Sequence, residues 1–441
     1  MSALKELHKY PSAIAGLVII GVFVTLSIFA VVTIPYDEAV RHWSPGSLQL
    51  REDNPRNARP VWFDWFTTDR LPRTINVNSA QGTRTAEPIG GGIERVQLTL
   101  PFSYNYDGFP RELALFVGGT YKGSPPMSVV LERPDGQTIT INEGLLLRTS
   151  HRYHISQDND LRAAIGGIPH VLLFAVDMDA SDARPLHGRY TMVLEVDLPE
   201  GTRLDARTVV YGQIHGVAGT DNIRRDLNVA LLWGAVVGLM FGILGAVGAQ
   251  VSTFVLAGIG TWYGGKVDGI FQRITEVNLV LPMLPILIMV GYFYSRSIWL
   301  MLGLVIALNV FSGTMKTYRA MFLQAKEAPY FEAAQAYGTG NMRMVFRYLL
   351  PRLAPTLLPQ FVLVVPIFVF VEASLAVLGL GDPKLPTWGK MLNDAFVGGA
   401  LYRDHYYWVL QPSMLLMLIG FGFAMLGFSL DRVFNPKLRT I

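Results

Sequence analysis

The residues that most resemble a chemical site are "GTWYGGKV", at 260–267, which fit the first seven places of a P-loop, G-x-x-x-x-G-K. That chemistry needs backbone N–H groups to cradle phosphates, a lysine to reach them and a Ser/Thr hydroxyl for Mg²⁺. The hydroxyl is missing, because Val267 follows Lys266. A P-loop must also join a buried strand to a helix, and here a long apolar run precedes it. The glycines therefore read as helix-end punctuation with close packing, and Lys266 as an interfacial anchor. If this protein uses ATP, another chain must bind it.

Other chemistry is scarce. The chain has no cysteine, which excludes disulfides, thiolate metal sites and cysteine nucleophiles. His151 and His154 form the closest histidine pair, but no acidic third ligand stands at metal-site spacing, so both read as surface residues. No H-E-x-x-H or G-x-S-x-G stretch occurs. A net charge of +3, spread along the chain, gives no footprint for nucleic acid.

The elements around these residues belong to a membrane protein. Of 441 residues, 51% are hydrophobic and 16% charged, against about a quarter charged in soluble domains. Apolar, charge-free runs lie at 11–35, 227–265, 277–295, 297–315, 353–371 and 406–430. Each is long enough to cross a bilayer, which takes about 20 residues, and 227–265 is too long for one straight span and short for two with a loop. The first run follows Lys5 and Lys9 as a signal peptide would, but it is too long and lacks a cleavage site, so it reads as an uncleaved span. Residues 37–226 between the first two runs are polar and β-rich. "RVQLTL" and "YTMVLEVDL" alternate with period 2, and "MSVVLERPDGQTITIN" is a hairpin around Pro134, Asp135 and Gly136. These strands suggest a sandwich or small barrel, and no helix of clear period is expected among them.

Basic residues orient the chain. Lys316, Arg319, Lys326, Arg343, Arg347 and Arg352 share one loop, which is therefore cytoplasmic. Counting from it makes 227–265 one span with an interfacial end. Lys266 and Arg273 then fall inside, Lys384, Lys390 and Arg403 outside, and Arg432, Lys437 and Arg439 inside. The expected fold class is an all-α polytopic bundle of six transmembrane helices with an inserted, sandwich-like extracytoplasmic β domain. Its parts are 1–36 (N-terminus and first span), 37–226 (β domain) and 227–441 (five-helix core with a cytoplasmic loop at 325–352).

That loop holds "EAAQAYGTGNMRMVFRYLLP", from Glu332 to Pro351. Physically it reads as a short helix stopped by Gly338 and a second helix capped by Asn341, with Pro351 bending the chain toward the membrane. Its alanines allow another surface to approach closely, and its glutamate offers an anchor to a basic partner. The bland alternative is a plain amphipathic interfacial helix.

The order Glu-Ala-Ala, three residues, Gly, nine residues, Tyr348, one residue, Leu-Pro resembles the EAA loop of ABC-transporter permeases, with Tyr348 where Ile is common. "GTDNIRRDL" resembles G-T-D-x-x-G-R-D-L of the C-type permease subunit in dipeptide/oligopeptide importers, with Arg224 in place of its glycine. "YGGKVDGIFQRITEV" and "EASLAVLGLGDPKLPTWGKML" resemble two further stretches of that family. The likeness runs from Gly219 onward, about half the chain, and leaves the β domain as an insertion.

The resemblance implies a type I importer permease fold and a coupling mechanism. The family has no nucleotide site or cofactor of its own; ATP and Mg²⁺ bind two separate ATPase subunits. In this chain Glu332 would anchor the contact with an ATPase and Ala333 and Ala334 would permit close approach. Gly338 would allow the turn, and Leu350 and Pro351 would link it to the fifth span. The implied partners are a sister permease in a heterodimer, the ATPases, an extracytoplasmic substrate-binding protein and the lipid bilayer. Glu372 is the one ionisable residue deep in an expected span. It either lines the translocation path, where it could meet a cationic group, or is a carboxyl bonded to a neighbouring helix. A membrane receptor with an extracytoplasmic β domain is the alternative function, although nothing after the last span resembles an output domain. An intramembrane enzyme is a third reading.

Overall fold

Alternating sequence and apolar sequence fold into separate units. The computed structural model describes residues 9–44, 46–121, 123–177 and 184–434. Lys5, Lys437 and Arg439, which entered the charge argument, lie outside the described residues. Met1–Ser44 with Val229–Ile441 form one unit, and Pro45–Asn228 the other. The helix Tyr36–Trp43, assigned mostly to the polar segment by composition, groups with the helical unit and buries Ala39 and Trp43.

In the second unit the described strands form two antiparallel sheets. One has the order β1 (Ile75–Asn78), β9 (Leu204–Tyr211), β4 (Glu112–Gly119), β7 (Ser150–Tyr153). The other runs β2 (Thr83–Gly90), β3 (Ile93–Tyr104), β8 (Gly188–Pro199), β5 (Pro126–Glu132), β6 (Thr138–Leu146). Period-2 alternation sets the register. Val96, Leu98, Leu100 and Phe102 on β3 stand opposite Val196, Leu194, Met192 and Tyr190 on β8, and all eight are buried. Phe102 and Tyr190 stack with centroids 5.6 Å apart. Leu113, Leu115 and Val117 of β4 and Leu204, Ala206 and Val210 of β9 join the same core from the other sheet. Each fully buried aliphatic or aromatic chain there contributes about 1.5–3 kcal/mol. The β5–β6 hairpin closes as expected, with Arg133 N–H donating to Gln137 O at 2.9 Å and Gly136 at φ 83°. The short helices Asn159–Ile165 and Pro169–Leu172 were not expected. Seven residues make only two turns, too few for a period to show, and the first helix is set by its cap: Asp158 accepts from the N–H groups of Asp160 and Leu161.

Among the described residues of the helical unit four helices are long and apolar enough to span a membrane: Pro11–Thr33, Leu227–Tyr263, Asn341–Leu380 and Tyr406–Phe434. Two bent pairs raise the number to six if each is one span. Leu227–Tyr263 is a single 37-residue helix. The third and fourth apolar runs are not straight helices. Gly265–Val280 and Met283–Phe293 meet at 78°, and Ile298–Val310 and Gly313–Lys326 at 45°. Pro282 causes the first break. It lacks an N–H to donate and forces Leu281 out of the helical region, to ψ 126°. Small residues bring helices together. A Cβ on Gly16 would lie 2.7 Å from the carbonyl oxygen of Gly422, and Ser12 and Ser429 share a hydrogen bond of 2.9 Å across the same crossing. Trp388 packs onto Gly234, with its indole N–H donating to Leu231 O at 3.0 Å.

Candidate functional site

The EAA segment folds as a helix, a left-handed turn and a second helix, on a platform made by the end of Leu227–Tyr263. Its first helix is Pro329–Ala336, opened by a proline in the first turn, where a missing N–H costs nothing. Gly338 ends it at φ 77° and donates to Gln335 O at 2.8 Å. A side chain here would strain the backbone, while the space beside the glycine is open. Glu332, Ala333 and Gly338 are exposed and Ala334 is half-buried. Tyr337, next to the turn, is 91% exposed. The segment thus presents one carboxylate, small side chains and a protruding ring on a single short helix.

Phe331 faces the other way. It is buried with Phe254, Trp262, Met315, Phe322, Met344, Val345, Leu349 and Leu350 in one cluster. Trp262 is the centre of a polar bracket around it. Its indole N–H donates to Asn341 Oδ1 at 3.3 Å. Lys326 Nζ donates to the carbonyl of Trp262 at 3.0 Å and lies 5.3 Å from its ring centroid. Arg319 grips Asp268 through two nitrogens, with Nη2 to Oδ2 at 2.6 Å. Four segments of the chain are therefore held as one body under the Glu332 helix.

The P-loop-like stretch takes its place in this bracket. Tyr263 ends one helix, Gly264 and Gly265 have φ of 62° and 50°, and the next helix starts at once. A helix precedes the glycines, where a P-loop has a strand. Trp262 within the stretch and Asp268 just after it are the residues that enter the bracket. Sequence reasoning missed them, along with Arg319, Lys326 and Asn341 as partners. Asp268 was visible as the aspartate of the resembled segment, but its partner lies 51 positions away.

One expectation is corrected here. Asn341 does not cap the second helix: Gly340 occupies the N-cap, and the Asn341 side chain accepts from Trp262 instead. Pro351 does not end the helix, which runs on through it. A π-helical segment at Met344–Leu349 directly precedes it and absorbs the hydrogen bond and the space that a proline denies to an α-turn. Leu350 is buried in the cluster and Pro351 is exposed.

Glu372 lies elsewhere in the helical unit, on Asn341–Leu380, and is 7% exposed. Near its carboxyl is Thr387, which is itself buried and caps Trp388–Val397 by accepting from Lys390 N–H at 3.1 Å. A cavity of about 20 Å³, room for one water, lies against Glu372, Phe241, Arg296 and Asp382. The carboxyl is thus buried in the bundle, beside the start of a neighbouring helix.

Comparison with known proteins places these features. Residues 232–440 match the family described as binding-protein-dependent transport system inner membrane component. The dipeptide transport system permease protein of Bacillus subtilis is 29% identical over 224 residues, half of this chain and 68% of the relative. The oligopeptide transport system permease protein of Escherichia coli K12 is 29% identical over 223 residues, 50% of this chain and 72% of the relative. The glutathione transport system permease protein of Pectobacterium atrosepticum is 29% identical over 226 residues, 50% of this chain and 73% of the relative. With the EAA helix, its turn and its platform all inside the matched residues, this half of the chain is a domain similar to the permeases of binding-protein-dependent transport systems, and the chain carries a β-rich domain in addition.

Proposed function

We propose that this chain is the membrane-spanning subunit of an ATP-driven importer of peptides or similar small solutes, and that Glu332–Gly338 is its coupling element. The observation that carries this is the division of the Pro329–Ala336 helix. Phe331 roots it in a rigid platform, while Glu332 and Ala333 are exposed beside the Gly338 turn. A partner ATPase would receive the exposed face, with Glu332 on a basic side chain and the alanines permitting close approach. The buried face would pass its displacement to the spans through Leu349, Leu350 and Pro351. ATP and Mg²⁺ belong to two such ATPases, and this chain contributes position, not chemistry.

The finer architecture is part of the proposal. Each bent pair is one span, which makes six, and both termini face the cytoplasm. The two sheets form a sandwich on the extracytoplasmic side, available to a substrate-binding protein or to a sister permease. Motion of the spans alternates access to a path between the two permeases. Glu372 holds helices together next to that path, as its burial near Thr387 supports; a direct meeting with substrate is the lesser role.

The test is uptake in reconstituted importer carrying Glu332→Lys or Gly338→Asp. Both variants are expected to insert and assemble normally and to lose ATP-driven uptake at least about tenfold, the effect of about 1.4 kcal/mol in coupling. Wild-type uptake in both would overturn the assignment.

A further inference from the structure

The β-rich unit exposes an aromatic surface that its own fold leaves uncovered. Residues 61–66, "VWFDWF", form a single 3₁₀ segment, Val61–Phe66. Trp65 and Phe66 at its end are 83% and 77% exposed. Trp62 stands behind them, with its ring centroid 6.3 Å from that of Phe66. Val217, also exposed, is fixed beside this group, since its carbonyl accepts from the Trp62 indole N–H at 2.9 Å. The one charge within the segment is turned into its own loop: Asp64 Oδ1 accepts from Leu71 N–H at 3.0 Å.

The loop is not free to drift. Arg59 N–H donates to Gln213 O at 2.8 Å, His215 N–H to Arg59 O at 2.8 Å, and Val61 N–H to Gly216 O at 2.9 Å. Thr220 extends the seam by donating its hydroxyl to Pro55 O at 2.7 Å and accepting from Ala58 N–H at 2.9 Å. Two residues after Val217, Gly219 O accepts from the N–H of Leu227 at 3.0 Å. Leu227 is the first residue of the apolar 37-residue helix. The aromatic loop is therefore stitched, within one unit, to the point at which a membrane span begins.

We propose that Trp65, Phe66 and Val217 are a membrane-interface anchor, seated among the headgroups and upper acyl chains of the bilayer. Trp and Phe pay little to sit there, since their rings are apolar and the Trp N–H keeps a polar partner. Lipid, not a soluble partner, is the occupant because the patch is tied to a span end, where lipid is always present. The anchor fixes the height of the β-rich unit against the bilayer and adds a second attachment to the covalent one. It rests on reading Leu227–Tyr263 as a span.

The chain has no cysteine, so single sites can be labelled in the full-length protein. Trp65→Cys and Phe66→Cys would carry an environment-sensitive fluorophore in nanodiscs containing brominated lipid. Thr85→Cys, exposed on β2, serves as the aqueous control, and Val251→Cys, exposed on the apolar helix, as the lipid control. The expected result is blue-shifted emission, quenching by brominated chains and loss of iodide quenching at 65 and 66, as at 251 and unlike 85. Iodide quenching at 65 and 66 equal to that at 85 would overturn the anchor. Shielding from iodide that needs added substrate-binding protein would also overturn it, in favour of a protein-docking face. Failure of lipid quenching at 251 as well would overturn the span and the anchor together.

Discussion

The two units solve the problem of burial in opposite ways. In the β-rich unit, volume fills the core: large chains such as Phe102, Phe174 and Tyr190 interlock between sheets whose register is set by alternation. In the helical unit, small residues do much of the packing. Gly16 meets Gly422, Gly234 receives Trp388, and Gly389 lies against Ala373 and Ala376. Lipid tails are as apolar as leucine, so membrane helices gain by close approach where soluble sheets gain by leaving water. The two units also differ in what can be recognised. Every stretch that resembles the permease family from Tyr263 onward is in the helical unit, and the coupling platform is built there. The β-rich unit carries no comparable motif between its strands, and its functional suggestion comes from an exposed surface.

The sharpest way to break this contrast is to insert volume where the helical unit has none. Gly389→Leu would place a Cβ 2.6 Å from Ala373 backbone atoms. The expected outcome is loss of folded permease from the membrane, read by protease sensitivity, with overpacking worth several times the usual ~1–3 kcal/mol because backbone cannot move aside. Equal resistance to protease would show that the crossing has slack and that the contrast is overstated.

Next in size is a cavity in the other core. Val129→Ala, at a fully buried position of β5, is expected to lower the stability of the β-rich unit by about 2 kcal/mol while uptake persists. Arg224→Gly follows. Arg224 adopts φ 67°, in the place where the resembled family has glycine, and so keeps the turn and pays for it in strain. Its guanidinium lies 4.0 Å from the ring centroid of Tyr211, donates to Asn54 O at 2.6 Å and pairs with Glu112. Removing the strain returns about 1 kcal/mol, and breaking the largely buried pair costs about 3 kcal/mol. Thermal unfolding should therefore show a net loss near 2 kcal/mol; a gain would mean that the pair contributes nothing.

The coupling bracket offers a smaller, more specific effect. Asp268→Asn leaves Arg319 with a weaker partner at a site about one-third exposed, so about 1 kcal/mol is at stake after screening. Uptake per ATP hydrolysed is expected to fall, and the exchanged pair Asp268→Arg with Arg319→Asp should recover part of it. No change in that ratio would remove the bracket from the coupling argument. Smallest is a pH effect confined to the β-rich unit. Burial lowers the pKa of His154, His170 and His215 below the ordinary value. Above the unfolded value, about 6.5, these rings are neutral in both states and add no pH dependence. As pH falls below it the unfolded chain takes up protons first, so stability is lost on acidification. Unfolding of this unit should become easier between neutral pH and pH 5, and His170→Gln should flatten the slope.

Legibility followed the range of the interactions. Alternation at 95–100 and 190–198 announced two strands, because facing sides of a sheet differ by one residue. The turn at Gly136 and the stop at Gly338 were readable because φ above zero is a local demand. Asn341 was misread for the complementary reason. A cap is local, but Trp262, 79 positions away, claims its side chain. Pro282 and Pro351 look alike in sequence; the first breaks its helix and the second is absorbed by a π-helical segment.

By itself, then, the sequence determined that this chain is a membrane permease with an inserted strand-rich segment, since apolar length, alternation and short motifs are properties of neighbouring residues. Only the tertiary structure decided which residues brace the Glu332 helix, that Glu372 is buried near Thr387, and that Trp65 and Phe66 are left uncovered. Burial and pairing depend on what comes from far along the chain to meet a residue, and no local pattern encodes that.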